Sequence, residues 1–187
     1  MKKKLIVISL LRIMSKDLTF AKSKFCDSAE EICIAAVQMR VGTKVAVNLK
    51  EAARLIDIAV MKGAKIVVLP EYFCFMGMKD TDKMVLREEE GSGPIQDFLS
   101  KTARSYGIWL VGGSVPLVSS RSDKVRNSCL VYDDSGKQVA RYDKIHLFNL
   151  RSGKENYVEE ETIEAGTKVV TLESPFGRIG LSICYDL

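Results

Sequence analysis

Residues 32–70, ICIAAVQMRVGTKVAVNLKEAARLIDIAVMKGAKIVVLP, decide how this chain folds. The opening ICIAAVQM is short, continuous and apolar, the pattern of a buried strand. Leu49, Ala52, Ala53, Ile56, Ala59 and Val60 then recur at helical spacing, with Asn48 expected as the N-cap and Gly63 placed to end the helix. KIVVLP, residues 65–70, reads as a second buried strand.

Towards the C-terminus, Gly93 and Pro94 open a second helix that carries Ile95, Phe98, Leu99 and Thr102 on one face, and Gly107 closes it. Strands follow in quick succession: IWLVGGSVPLV (108–118), SCLVYDD (128–134) and KQVARYD (137–143), the last two joined as a hairpin by the DDSG turn. KVVTLES (168–174) and RIGLSIC (178–184) pair around Pro175, Phe176 and Gly177. Strand-helix alternation followed by hairpins predicts a layered α/β fold with a mixed sheet.

Towards the N-terminus the order is lost. Residues 1–31 begin with Lys2, Lys3 and Lys4, then an apolar run over 5–11 that Arg12 interrupts. That run is too short to span a bilayer, and MSKDLTFAKSKF (14–25) lacks a small-residue cleavage site, so neither a membrane span nor a signal peptide is expected. Residues 1–31 read as an irregular extension, with Met14 an alternative start, and 32–187 as the domain.

The 187 residues, 47% hydrophobic and 28% charged, suit one domain with a substantial core. The net charge of +4 comes with interleaved acids and no long basic stripe, which argues against a nucleic-acid partner. Five cysteines, Cys26, Cys33, Cys74, Cys129 and Cys184, form no CxxC pair and have one histidine for company. This pattern argues against a zinc site and a disulfide framework and for a reducing compartment, hence a cytoplasmic location.

Polar residues at strand ends are the candidates for chemistry, because α/β folds gather functional groups there. Glu71, in LPEYF, has Tyr72 and Phe73 beside it to raise its pKa towards that of a useful base; its plainer reading is a solvated loop carboxylate. Lys144, in RYDKIHLF, is either a snorkelling surface lysine or a fixed cation that stabilises an anion. His146, the sole histidine, ranks below both as a packed structural residue. Glu159, in YVEEETIEAG, reads most simply as part of a solvated charge run. Cys184, where an apolar strand meets a turn, is placed to meet substrate, with the backbone N–H of Tyr185 directed at a developing oxyanion.

Taken together, LPEYF with Glu71, RYDKIHLF with Lys144 and GRIGLSICYDL with Cys184, after an AAVQM strand, resemble the nitrilase or carbon-nitrogen hydrolase superfamily over residues 32–187. The KIHLF wording is similar to the Nit-type amidase branch, which includes omega-amidases and amidases acting on deaminated glutathione. The resemblance implies a four-layer α-β-β-α sandwich, of which this chain would be the N-terminal part. It implies a Glu71, Lys144 and Cys184 catalytic set, with Glu159 supporting and the Tyr185 N–H in the oxyanion hole. Also implied are a carboxamide substrate on a small carboxylate-bearing molecule, a cysteine thioester, release of ammonia, and neither metal nor organic cofactor. Homo-oligomers are expected of the family's full-length domain. That domain continues well past its nucleophile, so the chain is expected to be truncated just after Cys184. An inactive fragment or an interaction module pairing through an open sheet edge is therefore the alternative, with N-acyl transfer or nitrile hydrolysis behind it.

Overall fold

The computed structural model describes residues 5–10, 19–22, 32–152 and 155–187. The strands are β1 (Leu5–Leu10), β2 (Thr19–Lys22), β3 (Cys33–Ala36), β4 (Ile66–Val68), β5 (Trp109–Val111), β6 (Val115–Val118), β7 (Val125–Tyr132), β8 (Gln138–Asp143), β9 (Asn149–Ser152), β10 (Glu155–Val158), β11 (Thr171–Ser174) and β12 (Gly177–Ile183). The helices are α1 (Val45–Met61) and α2 (Pro94–Tyr106).

A seven-stranded sheet runs β2-β3-β4-β5-β7-β6, with β8 on the other side of β7. β3, β4 and β5 are parallel, and α1 and α2 are the crossovers between them. β7 is antiparallel to its three partners β5, β6 and β8, which makes the sheet mixed. A second sheet has the order β1-β12-β11, and β9 pairs with β10 as a separate hairpin.

Successive side chains of a strand point to opposite faces, and here both faces are covered. Val67, Leu110 and Leu130 turn towards Ala52, Ile56 and Ala59 of α1 and Ile95, Leu99 and Ala103 of α2. Ile66, Val68, Trp109, Val111, Cys129 and Val131 turn the other way and meet Ile179, Leu181 and Ile183 of β12. This double burial explains the continuous apolar runs of the sequence and gives three layers, helix, sheet and sheet. Filling such a position with a large aliphatic side chain contributes about 1.5–3 kcal/mol.

Both helix ends expected from glycine are present: Gly107 caps α2 in the left-handed region and Gly63 follows α1 at φ 87°. Asn48 is not the N-cap. Lys44 occupies that position, and Asn48 lies inside the first turns of α1, facing the core. There its amide donates to the Gly42 and Cys74 carbonyls at 2.8 and 2.9 Å and accepts from the Gly42 N–H at 3.0 Å. A buried amide must find partners, and these bonds tie the loop that follows β4 to the helix. The run IWLVGGSVPLV, expected as one strand, is two, β5 and β6. Both pair along β7 with one extra residue between them, a bulge at Gly112–Ser114.

Residues 1–31 are not irregular throughout. β1 pairs with β12 in parallel register from Leu5 opposite Arg178 to Leu10 opposite Ile183, and β2 pairs antiparallel with β3. Each satisfies backbone groups that an open edge of β12 or β3 would leave without partners. Met14, and with it the alternative start, lies outside the described residues.

Candidate active site

The sequence-expected site residues all leave the ends of strands. β4 runs through Leu69 and Pro70 into Glu71; β8 delivers Lys144, β10 delivers Glu159, and β12 delivers Cys184. The two sheets stack through β4, β5, β7, β8 and β12 side chains, which brings the ends of β4, β8 and β12 together, and the bonds between Glu159 and the Phe148 backbone bring in the end of β10.

Two of the turns are held in an unfavourable backbone conformation. Tyr72 and Cys184 have φ of 51° and 50°, in the left-handed region, at a cost of order 1–3 kcal/mol each for non-glycine residues. The Tyr72 turn is secured by its N–H donating to Ser114 Oγ at 2.9 Å and by full burial of Phe73 and Cys74. Gly113 makes that approach possible, because a Cβ there would overlap the Pro70 carbonyl oxygen. The Cys184 turn is secured by Asp186, whose carboxylate accepts from the Ile183 N–H (2.8 Å), the Tyr142 hydroxyl (2.6 Å) and the His146 N–H (2.9 Å). Tyr185, the next residue, packs its ring edge-on against Phe148 at 5.3 Å.

At the centre Lys144, with a side chain 0% exposed, reaches Glu71 Oε1 at 3.4 Å and Glu159 Oε1 and Oε2 at 3.0 and 2.8 Å. Glu159 also accepts from the Phe148 N–H at 2.8 Å. Asn127 Nδ2 donates to Glu71 Oε1 at 2.9 Å, and Cys184 lines the same cavity as Glu71, near enough for the charges of Glu71, Lys144 and Glu159 to act on its thiol. The acidic run is therefore not uniformly solvated: Glu159 is 5% exposed while Glu160 and Glu161 face solvent. The short turn Glu159–Glu161 turns the first of its three carboxylates inward, where the buried Lys144 ammonium pairs with it.

Electrostatics follow from this arrangement. Burial, reinforced by the charge of Glu159, pushes the Glu71 carboxyl up, against the opposing pull of Lys144 and the Asn127 bond. Burial works to lower Lys144, but the charges of Glu71 and Glu159 outweigh it and raise the ammonium's pKa. Burial and then the Glu71 charge push the Cys184 thiol up, with Lys144 opposing. The sulfur thus keeps its proton at neutral pH, beside a carboxylate able to take it. The cluster opens onto a cavity of about 360 Å³ lined by Glu71, Tyr72, Phe148, Glu159 and Cys184, among others.

His146 stands apart: its side chain is 63% exposed and its Nδ1 lies 3.0 Å from Asp186. Among the described residues no three His, Cys, Asp or Glu side chains are grouped to hold a metal ion. Sequence reading missed Asn127, Asp186 and Ser114. Asn127 and Ser128 left a signal, two fully buried polar residues that follow the half-buried Arg126 in β7, since a buried amide must hydrogen-bond to something. Asp186 and Ser114 left none.

A family model described as carbon-nitrogen hydrolase matches residues 33–187. Omega-amidase NIT2 of Xenopus tropicalis is 36% identical over 155 residues, covering 82% of this chain and 55% of that protein. Deaminated glutathione amidase of Synechocystis sp. is 36% identical over 157 residues, covering 82% of this chain and 57% of that protein. The crystal structure of Saccharomyces cerevisiae Nit3, a member of branch 10 of the nitrilase superfamily, superposes with a TM-score of 0.71 at 30% identity, over 83% of this chain and 56% of that one. The chain thus spans about half the length of the curated relatives it matches.

Proposed function

The chain belongs to the carbon-nitrogen hydrolase family, and from that premise we propose that it is an amidase of the Nit type, with Cys184 as nucleophile, Glu71 as general base and Lys144 as oxyanion partner. The observation that carries this reading is the Lys144 ammonium bridging Glu71 and Glu159 while Cys184 lines the same cavity as both carboxylates.

Amides are poor electrophiles, and a covalent intermediate divides their hydrolysis into two lower barriers. Glu71 takes the thiol proton as the sulfur bonds to the carboxamide carbon. The carbonyl electrons move onto oxygen, where the Lys144 ammonium and the Tyr185 N–H stabilise them. Tyr185 stands in the short turn Cys184–Asp186, whose first N–H groups have no acceptor within the turn. The carbon-nitrogen bond then breaks as Glu71 returns its proton to nitrogen, and ammonia leaves a thioester. Water, deprotonated by Glu71, attacks the thioester; the carbon-sulfur bond breaks, the acid departs and the proton returns to sulfur. Glu159 acts through Lys144 as a positioning residue.

The names of the relatives, omega-amidase and deaminated glutathione amidase, support a small carboxylate-bearing amide as substrate. The four described cysteines are free, which supports a reducing, cytoplasmic setting. The test is ammonia release from small monoamides of dicarboxylic acids. Release is expected from the chain and not from Cys184→Ala, with an acyl adduct on Cys184 in quenched mixtures; equal release from both, or an adduct on Cys74, overturns the assignment.

A pH profile gives an independent check. Glu71 must be ionised to act as base and its pKa is raised above the ordinary 4.5, so kcat/KM is expected to fall as pH drops through that raised value. The same shift has the opposite sign for stability: the raised carboxyl contributes stability while protonated, and this is lost as pH rises through its folded pKa. Activity should therefore disappear on the acid side without loss of fold, read by ammonia release and by circular dichroism on one pH series. An acid limb that coincides with unfolding removes the argument.

A further inference from the structure

Among the described residues Lys83 is a buried cation with no counter-ion within ion-pair distance. It lies in the turn Asp80–Leu86, is 8% exposed and lines the cavity shared by Glu71, Glu159 and Cys184. Among the described residues its ammonium makes no ion pair and no hydrogen bond; it stands over the Tyr72 ring, 5.7 Å from the centroid. Lys144 differs, because two carboxylates already hold it. Around Lys83 the charges of Asp80, Glu159 and Glu71 attract at longer range and Lys144 repels, yet burial prevails and holds its pKa down.

A lysine is almost never this buried unless something pairs with it. The reacting end of the cavity carries Glu71 and Glu159 against the single Lys144, so it is negative overall and repels an anionic substrate. An anion entering the same cavity needs a counter-charge elsewhere on its wall; the exposed Lys79 and Asp80 there offset each other, which leaves Lys83 as that charge. A single ammonium matches a single carboxylate, and about 360 Å³ admits a small molecule bearing one.

Building on the amidase reading, we propose that Lys83 is the specificity-determining residue that receives the substrate's carboxylate, so that the site selects amides carrying an anionic group remote from the carboxamide. Tyr72 supports it by offering its ring face to the ammonium when the cavity is empty. The pairing with substrate removes the cost of keeping the cation buried, which converts that cost into preference for an anion.

The experiment uses alkylation of Cys184 and needs no turnover. Anionic 3-maleimidopropionate, whose carboxylate lies several bonds from the reacting carbon, and neutral N-ethylmaleimide are compared on the 187-residue chain, on Lys83→Met and on Lys83→Arg, with modification at Cys184 followed by mass spectrometry. The ratio of the 3-maleimidopropionate rate to the N-ethylmaleimide rate is expected to fall about ten-fold or more in Lys83→Met and to recover in Lys83→Arg. A ratio unchanged by Lys83→Met overturns the proposal. In the unsubstituted chain, succinate is expected to protect Cys184 from iodoacetamide better than the same concentration of neutral succinamide. Equal protection overturns the proposal even if the variants fail to fold. Anion preference at Cys184 without ammonia release from any monoamide would keep the Lys83 assignment and remove the amidase reading.

Discussion

Replacing Lys144 by methionine is expected to destabilise the fold by about 3–5 kcal/mol, the cost of breaking a buried ion pair by removing one partner. The ammonium is fully buried between Glu71 and Glu159, and no other cation lies within ion-pair distance of either carboxylate among the described residues. Without it, two buried carboxylates face each other unpaired, and they escape the penalty only by taking up protons. Their folded pKa values then stand above the unfolded ones. The variant should thus keep most of its stability at low pH and lose it as pH rises through those values. Urea unfolding of both proteins at acid and at mildly alkaline pH measures this. A loss that does not grow with pH would mean that methionine fails for reasons of packing rather than charge. Lys144→Met combined with Glu71→Gln and Glu159→Gln should regain most of the loss, because exchanging a whole buried ion cluster for neutral groups is far cheaper than leaving it incomplete.

Glu71→Gln is expected to give the opposite pattern, with turnover falling about 10²- to 10⁴-fold, the usual contribution of a positioned general base, while the fold is kept or made firmer. The glutamine carbonyl can still accept from Asn127, and Lys144 keeps its bonds to Glu159. What disappears is the capacity to take the thiol proton, together with a charge whose burial already raised its own pKa. Ammonia release and thermal unfolding, measured on one preparation, separate the two effects. Near-full turnover in Glu71→Gln would remove Glu71 from the role of base, and lost turnover with lost fold would make it structural.

The strands and helices could be read from local pattern because each has two covered faces or one apolar stripe. KIVVLP is continuous because Val67 faces the helices while Ile66 and Val68 face β12. Polar residues were misread where a side chain finds its partner far along the chain. Asn48 has the type and place of an N-cap, but a carbonyl 26 residues away, at Cys74, claims its amide. Glu159 has the neighbours of a solvated run, but Lys144 draws it inside.

By itself, then, the sequence determined the alternation of strands and helices, the glycines that end the helices and the polar residues set at strand ends. Apolar burial scales with area and repeats with the period of each element, so a short window carries it. The tertiary structure alone decided that Glu159 is buried, that Asn127 holds the Glu71 carboxylate and Asp186 the Cys184 turn, and that Lys83 faces the cavity with no ion pair among the described residues. Such contacts need atoms brought within about 3 Å of one another from separate elements. Sheet register and the stacking of two sheets set that distance, and no stretch of neighbouring residues encodes it.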